Sequence, residues 1–169
     1  MNIQVRPGTI EDCDTIHSFI SELADYLGLK EKVQATPADI RRDGFGSNPK
    51  FRAILAHDAG KTLGVAIYFF TYSSWAGRKV LNLHDIIVSN SSRRSGVGRH
   101  LLSYLANEAK KNDCARIDLE VRSYNEARKF YEKLGFTQDH SNLIYELNKA
   151  DFKKISLEET EIKPSKKFR

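Results

Sequence analysis

Apolar positions along this chain repeat with two different periods, and the switches between them mark out its elements. Ile3 and Val5 alternate with polar neighbours, as in a short strand. After Pro7-Gly8, the residues Ile10, Cys13, Ile16, Ile20, Leu23 and Leu27 recur at helical spacing, which predicts an amphipathic helix ending near Gly28. Thr9, with Asp12 three positions on, is a capping box with Asp in place of Glu. Thr36-Pro37-Ala38-Asp39 starts a second, short helix: a cap, a proline at the first helical position and an acid in the first turn. Asp43-Gly44-Phe45-Gly46 and Asn48-Pro49 read as a loop.

From there the period shifts to two. Residues 51–57 form a strand, Asp58-Ala59-Gly60-Lys61 a hairpin turn and residues 63–72 a long strand. Leu63, Val65, Ile67 and Phe69 fall on one face of that strand; Ala66, Tyr68, Phe70 and Tyr72 fall on the other. Residues 73–77 turn the chain into a strand over 79–88. A helix follows from Gly96 to about Asn112, with Val97, Leu101, Leu105 and Ala109 every fourth residue. Residues 115–121 alternate, Ile117, Leu119 and Val121 inward and Arg116, Asp118 and Glu120 outward. A helix over 125–134 stops at Gly135, and 136–140 with 143–147 read as a closing hairpin. Residues 1–150 form one domain. Residues 151–169 are polar and mostly charged, apart from Phe152, Ile155, Leu157, Ile162 and Phe168, and read as a partly ordered tail.

One junction carries candidate chemistry. The strand ending at Val88 passes through Ser89-Asn90-Ser91-Ser92 into Arg93-Arg94-Ser95-Gly96-Val97-Gly98, which opens the helix. The first N–H groups of a helix lack internal partners, and the helix dipole favours negative charge there. Arg93, Arg94 and Arg99 surround that point. A Walker loop would need a Lys after Gly98, and a dinucleotide fingerprint would need a third glycine; neither is present. The spacing Arg-x-x-Gly-x-Gly resembles the acyl-CoA pyrophosphate loop of the GNAT acetyltransferases.

Composition narrows the alternatives. With 169 residues, 40% apolar and 29% charged, the chain is an ordinary globular protein, and no apolar run approaches the length of a membrane span. The N-terminus lacks a basic-then-apolar signal. Cys13 and Cys114 give no disulfide framework and no metal-ligand spacing, and read as small core residues of a cytosolic protein. The net charge of +5 is split between the arginines at the loop and a tail cluster of Lys163, Lys166, Lys167 and Arg169. No basic run with interleaved aromatics argues for nucleic acid; a polyanionic cofactor accounts better for the local excess.

Three further stretches resemble the spermidine/spermine and thialysine branch of the same family: Asp43-Gly44-Phe45-Gly46-x-Asn48-Pro49; the run from Tyr68 through Trp75 to Gly77-Arg78; and Asn125 with Phe130-Tyr131 and Leu134-Gly135. The resemblance covers roughly residues 3–147. It implies an α/β (α+β) GNAT fold: a mixed, mostly antiparallel sheet of about six or seven strands, splayed between the fourth and fifth, with about four helices. It further implies acetyl transfer from acetyl-CoA, without a metal, to a primary amine, in a homodimer. The pantetheine arm is expected between the splayed strands, against main-chain groups around Ile86, Ile87 and Val88, with Asn125 on its other side. The amides of Arg93, Arg94, Ser95, Gly96, Val97, Gly98 and Arg99 are expected to hold the pyrophosphate.

Tyr131 matches the family's proton donor to the leaving thiolate. Where the branch places Glu-Asp as a water-relayed base, this chain has His84-Asp85. On a regular strand those two would point to opposite faces; a bulge would bring them together. The branch's polyamine-binding acids fall at Leu27 and Ser73, neither charged, and Asn125 stands one residue nearer Tyr131 than usual. Trp75, Tyr72 and Phe45 are candidates to touch the amine. The expected reaction is acetylation of a small diamine, polyamine or lysine-like amino acid. The alternatives are a protein or peptide acceptor, and a non-catalytic acyl-CoA-binding module.

Overall fold

The computed structural model describes residues 1–156. Contacts divide the chain into two compact units, Met1–Arg122 and Ser123–Arg169. In the first unit, the described residues form a five-stranded sheet in the order β1-β2-β3-β4-β5. Its strands are β1 (Gln4–Pro7), β2 (Arg52–Asp58), β3 (Lys61–Ser73), β4 (Arg78–Val88) and β5 (Ile117–Leu119). β1 to β4 pair antiparallel, and β5 joins β4 in parallel. The sheet is therefore mixed, as expected, but with five strands rather than six or seven.

Helices cover both faces. On one, α1 (Cys13–Tyr26) and α2 (Pro37–Phe45) sit over the sheet. Cys13, Ile16 and Phe19 of α1 and Ile40 of α2 pack with Ala53, Leu55, Val65, Ile67 and Ile87. Each large aliphatic side chain so buried contributes about 1.5–3 kcal/mol. On the other face, α3 (Val97–Lys111) packs against β1 to β4. Its Val97, Leu101, Leu102, Leu105 and Ala109 are all buried. β2 is buried from Ala53 to Ala56 and β3 from Leu63 to Tyr68 without a break, because successive side chains point to opposite faces and each face has its own core.

The capping boxes form where the sequence places them. Asp12 accepts from the Thr9 N–H at 2.8 Å and from its hydroxyl at 3.1 Å. A single 3-10 turn, Ile10–Asp12, then leads into α1. Asp12 is also gripped by Arg6 of β1 through two bonds of 2.7 and 2.8 Å, so one carboxylate ties the first strand to the first helix. At α2, Thr36 and Asp39 cap each other reciprocally.

Other expectations need correction. The stretch Asp43-Gly44-Phe45 is not loop but the last turn of α2, which ends at Gly46. A glycine is needed at 44 because the Phe51 ring lies against it: a Cβ there would stand 2.7 Å from the ring. β5 keeps only Ile117, Asp118 and Leu119 of the expected seven residues: its ladder pairs them with Leu81, Asn82 and Leu83 and stops where the register of β4 shifts, although β4 itself runs on to Val88. In the second unit, α4 (Ala127–Lys133) is shorter than its apolar pattern, since Asn125 folds back to cap it. The closing hairpin is absent: residues 136–148 hold no strand. Leu143, Ile144 and Tyr145 stand exposed, without the opposing ladder a strand requires. Lys149–Lys154 form a 3-10 turn, and residues 157–169, with the basic cluster of the tail, lie outside the described residues. Among the described residues no helix is long and apolar enough to cross a membrane.

The Arg6 bonds, outweighing the cost of burial, hold the Asp12 carboxyl down at about 2. A depressed carboxyl stabilises the fold above its unfolded pKa and stops doing so as pH falls through its folded one. Arg6→Ala is therefore expected to cost about 1–2 kcal/mol at pH 7, discounted for the part-exposed guanidinium. Urea unfolding at stepped pH should show the gap to the native chain close between about pH 4 and pH 2; a gap constant across that window would mean the pair does not anchor β1.

Candidate active site

β4 carries the residues of interest, and its two edges differ. Up to Leu83 it is an interior strand, paired with β3 on one side and, through Leu81, Asn82 and Leu83, with β5 on the other. β5 then ends at Leu119, while β4 runs on to Val88. The sheet parts there. The Ser89 N–H donates to the Leu63 carbonyl at 2.9 Å, which fixes the sense of alternation. Main-chain groups of Asp85 and Ile87 turn toward β3; those of Ile86 and Val88 turn toward the open edge. Ile87 serves the core with its side chain, which is 3% exposed.

A bulge sits where the sheet parts. Ile67 pairs with Asp85 and Tyr68 with Leu83, so His84 is an extra residue. It brings two neighbours onto one face that strict alternation would separate. The His84 ring lies 6.1 Å from that of Phe69, and its Nε2 is 4.0 Å from Asp85 Oδ2. That separation is too long for a hydrogen bond and short enough for each charge to feel the other. The His84 side chain is 67% exposed and that of Asp85 only 25%. Burial pushes the Asp85 carboxyl above its ordinary range, and His84 pulls the other way by less. An acid perturbed by burial at an open strand edge has the marks of a proton acceptor.

β4 leads directly to the anion loop. Asn90–Ser92 make a 3-10 turn, Arg94 takes φ +64 and Gly96 φ +92, and α3 begins at Val97. Successive left-handed and right-handed residues turn backbone N–H groups into one concavity. Gly96 is required by its φ, and a Cβ there would meet nothing closer than the His100 ring at 3.9 Å. No described side chain caps α3. Arg93, Arg94, Ser95 and Arg99 are exposed around its head, Val97 is buried and Gly98 half-buried. Ser95 Oγ donates to the Ser92 carbonyl at 2.6 Å, closing the loop on itself. Bare amides, a helix dipole and three guanidinium groups fit a diphosphate.

In the second unit, Tyr131 is buried, its ring 5.4 Å from that of Phe130 and 5.8 Å from that of Phe136. Burial pushes its phenol up to about 12. The Asn125 carbonyl oxygen accepts from Ala127 N–H at 2.9 Å, which leaves its amide NH2 to donate elsewhere.

The three substrate candidates are not gathered at the bulge. Trp75 stands at the tip of the β3–β4 hairpin, fully exposed, and Tyr72 beside it is 69% exposed. They border an open groove of about 590 Å³ with Thr71, Val80 and Arg116. From Arg78 to Asp85 is roughly 20 Å of strand. Phe45 packs against the core cluster under α1 and α2. Two residues outside the expected set do meet the anion loop: Glu22 Oε1 accepts from the Asn90 N–H at 3.2 Å, and the Tyr26 ring lies 4.3 Å from the Arg93 guanidinium carbon. Their i, i+4 spacing on the polar side of α1 was the available signal.

Comparison with known proteins gives the family and the fold. Residues 16–136 match the acetyltransferase (GNAT) family model. The chain is 37% identical over 131 residues to human spermidine/spermine N(1)-acetyltransferase-like protein 1, covering 73% of this chain but 19% of that longer protein. It is 32% identical over 143 residues to a thialysine N-epsilon-acetyltransferase of Sus scrofa, covering 79% of this chain and 84% of the relative. Among solved structures, an integron cassette protein from V. cholerae superposes with TM-score 0.77 at 24% identity, covering 91% of this chain and 97% of that one.

The buried acid makes a prediction independent of activity. A carboxyl raised by burial favours the fold only while protonated, so its contribution fades as pH rises through the folded pKa. Asp85→Asn is expected to raise the thermal midpoint at pH 8 and leave it unchanged at pH 3. Calorimetry showing a lowered midpoint at pH 8 would mean that the ionised carboxylate is a stabilising partner instead.

Proposed function

The chain belongs to the acetyltransferase (GNAT) family and is an acetyl-CoA-dependent N-acetyltransferase; we propose that its acceptor is the primary amine of a small molecule. Diamines, polyamines and lysine-like amino acids are the classes in view. The reading rests on one observation above all: β4 loses its neighbour where the His84 bulge begins, then runs straight into an uncapped, arginine-ringed helix head.

The loop amides around Gly96 and the head of α3 hold the diphosphate, and the main chain of Ile86 and Val88 holds the amide-bearing arm. Acetyl-CoA supplies the acyl group already activated as a thioester. An alkylammonium has a pKa of about 10.4 and cannot attack until it loses a proton. Asp85 accepts that proton, because a carboxylate raised by burial is a stronger base than a free one. His84, exposed and 4.0 Å away, passes it to water. The amine forms its bond to the acyl carbon as the carbon–sulfur bond breaks. Tyr131, whose phenol near 12 keeps its proton at any working pH, donates to the departing sulfur. Solvent then returns a proton to the phenol. A homodimer working in the cytosol completes this reading.

Within the acceptor classes, the uncharged Leu27 and Ser73 favour an amine whose other end is not strongly cationic. Ser73 Oγ is already engaged, accepting from the Ala76 N–H at 3.2 Å.

A thiol-release assay across diamines, polyamines, lysine analogues and peptides tests the acceptor: turnover is expected on a small amine, and turnover on peptides alone would overturn the small-molecule reading. Tyr131→Phe should lower kcat about 100-fold or more with coenzyme binding kept. The native pH–rate profile should show no falling limb from the phenol below about pH 11. Unchanged kcat in the variant would remove Tyr131 from the chemistry. Gly96→Val, strained at a φ of +92, should lower the thermal midpoint and abolish coenzyme A binding, measured by calorimetry at a temperature where circular dichroism shows the variant folded; retained affinity would take the loop out of the cofactor site.

A further inference from the structure

The anion loop holds a conformation it would not hold alone. Arg94 is a non-glycine residue at φ +64, and such a residue persists only where its surroundings over-determine it. Within the loop one bond helps, from Ser95 Oγ to the Ser92 carbonyl. The 3-10 turn adds its own backbone bond, from the Ser92 N–H to the Ser89 carbonyl at 2.8 Å, and further restraints come from α1. Glu22, half-buried on its last turns, takes the N–H of Asn90 at the loop's entrance. One turn on, the Tyr26 ring lies under the Arg93 guanidinium at 4.3 Å, a cation–π distance, while Arg93 Nε donates to the Val88 carbonyl at 3.4 Å. Arg93 is thus held at two points, and its long side chain is ordered before any ligand arrives. Ordering such a side chain during binding weakens affinity; ordering it beforehand spares that cost.

We propose that Glu22 and Tyr26, on the last turns of α1, are positioning residues for coenzyme binding: they fix Asn90 and Arg93 on either side of the 3-10 turn so that the amides from Arg94 to Gly98 stand preset for a diphosphate. This rests on the loop being the coenzyme site. Neither residue reaches the reacting atoms. Removing them therefore loosens coenzyme binding and leaves the chemical step as it was. Because Tyr26 acts through its ring face, phenylalanine replaces it and leucine does not. Because it acts through Arg93, its effect vanishes once Arg93 is gone.

The test is coenzyme A affinity by titration calorimetry on the full chain, with steady-state kinetics alongside. Tyr26→Leu is expected to weaken coenzyme A about 5–10-fold and raise the KM for acetyl-CoA by a similar factor, with kcat unchanged. Tyr26→Phe should bind as the native chain does. Glu22→Gln should fall between the two, and serves as the second variant should Tyr26→Leu fold poorly. In an Arg93→Ala background, Tyr26→Leu should add less than twofold. Native affinity in Tyr26→Leu, equal weakness in Tyr26→Phe, or full additivity with Arg93→Ala would each overturn the proposal. Gly96→Val separates the two levels: if it loses coenzyme A while Tyr26→Leu keeps it, the loop is the site and α1 is not its support; if both keep it, the site itself is wrongly placed.

Discussion

A strand inside a sheet has two edges of hydrogen-bonding groups, and each must find a partner or face water. β4 meets that demand in two ways along its length. Through Leu83 it is served by strands on both sides. Beyond His84 its β3 edge stays paired, while the groups of Ile86 and Val88 face an edge no described strand occupies. The Arg93 side chain meets only one of them, the Val88 carbonyl. The bulge is part of the same construction, since one extra residue both re-aims two side chains and marks where β5 is released. The elements around the site depend on this break: the loop begins where β4 ends, and α3 begins where the loop ends.

The charges follow from the same layout. Cations gather at the loop, where helix amides already favour an anion, and the acid of the site lies one strand segment away, half-shielded at the bulge. Elsewhere acids are lowered by partners: Asp12 by Arg6, and Asp39 to about 2 mainly through Thr36. Asp85 moves the opposite way because what it has is burial and only a distant His84. A chain that caps its helices economically elsewhere leaves one carboxyl badly solvated and one helix head bare, both along β4 and its continuation.

Much of this was readable from the residues. The apolar run of β3 and the fourfold spacing in α3 are strong because both elements are long: β3 is covered on both faces over six consecutive residues, and the buried stripe of α3 repeats several times. Both capping boxes are local chemistry and formed as written. The Arg-x-x-Gly-x-Gly loop was legible because a helix head and a left-handed glycine leave a spacing. The bulge was legible only as a possibility; its trace is a phase change from Leu81 and Leu83 to Ile86 and Val88, and a single extra residue looks the same as noise in a short alternation. The ends of β5 and of α2, and the missing closing hairpin, were misread because partners rather than patterns decide them. Asp43-Gly44-Phe45 looks like a turn until the Phe51 ring is seen to need the space at Gly44. The α1 grip on the loop joins residues some 70 positions apart, a pairing no local window contains.

The hairpin tip gives this protein a built-in optical probe. Trp75 is the chain's single tryptophan and is fully exposed. An indole in water emits at the red end of its range and is readily quenched, and covering it moves the emission to the blue and shields it. Since no other indole contributes, any such change in intrinsic fluorescence reports on the surroundings of this one loop, without a label and at concentrations far below those that force proteins together.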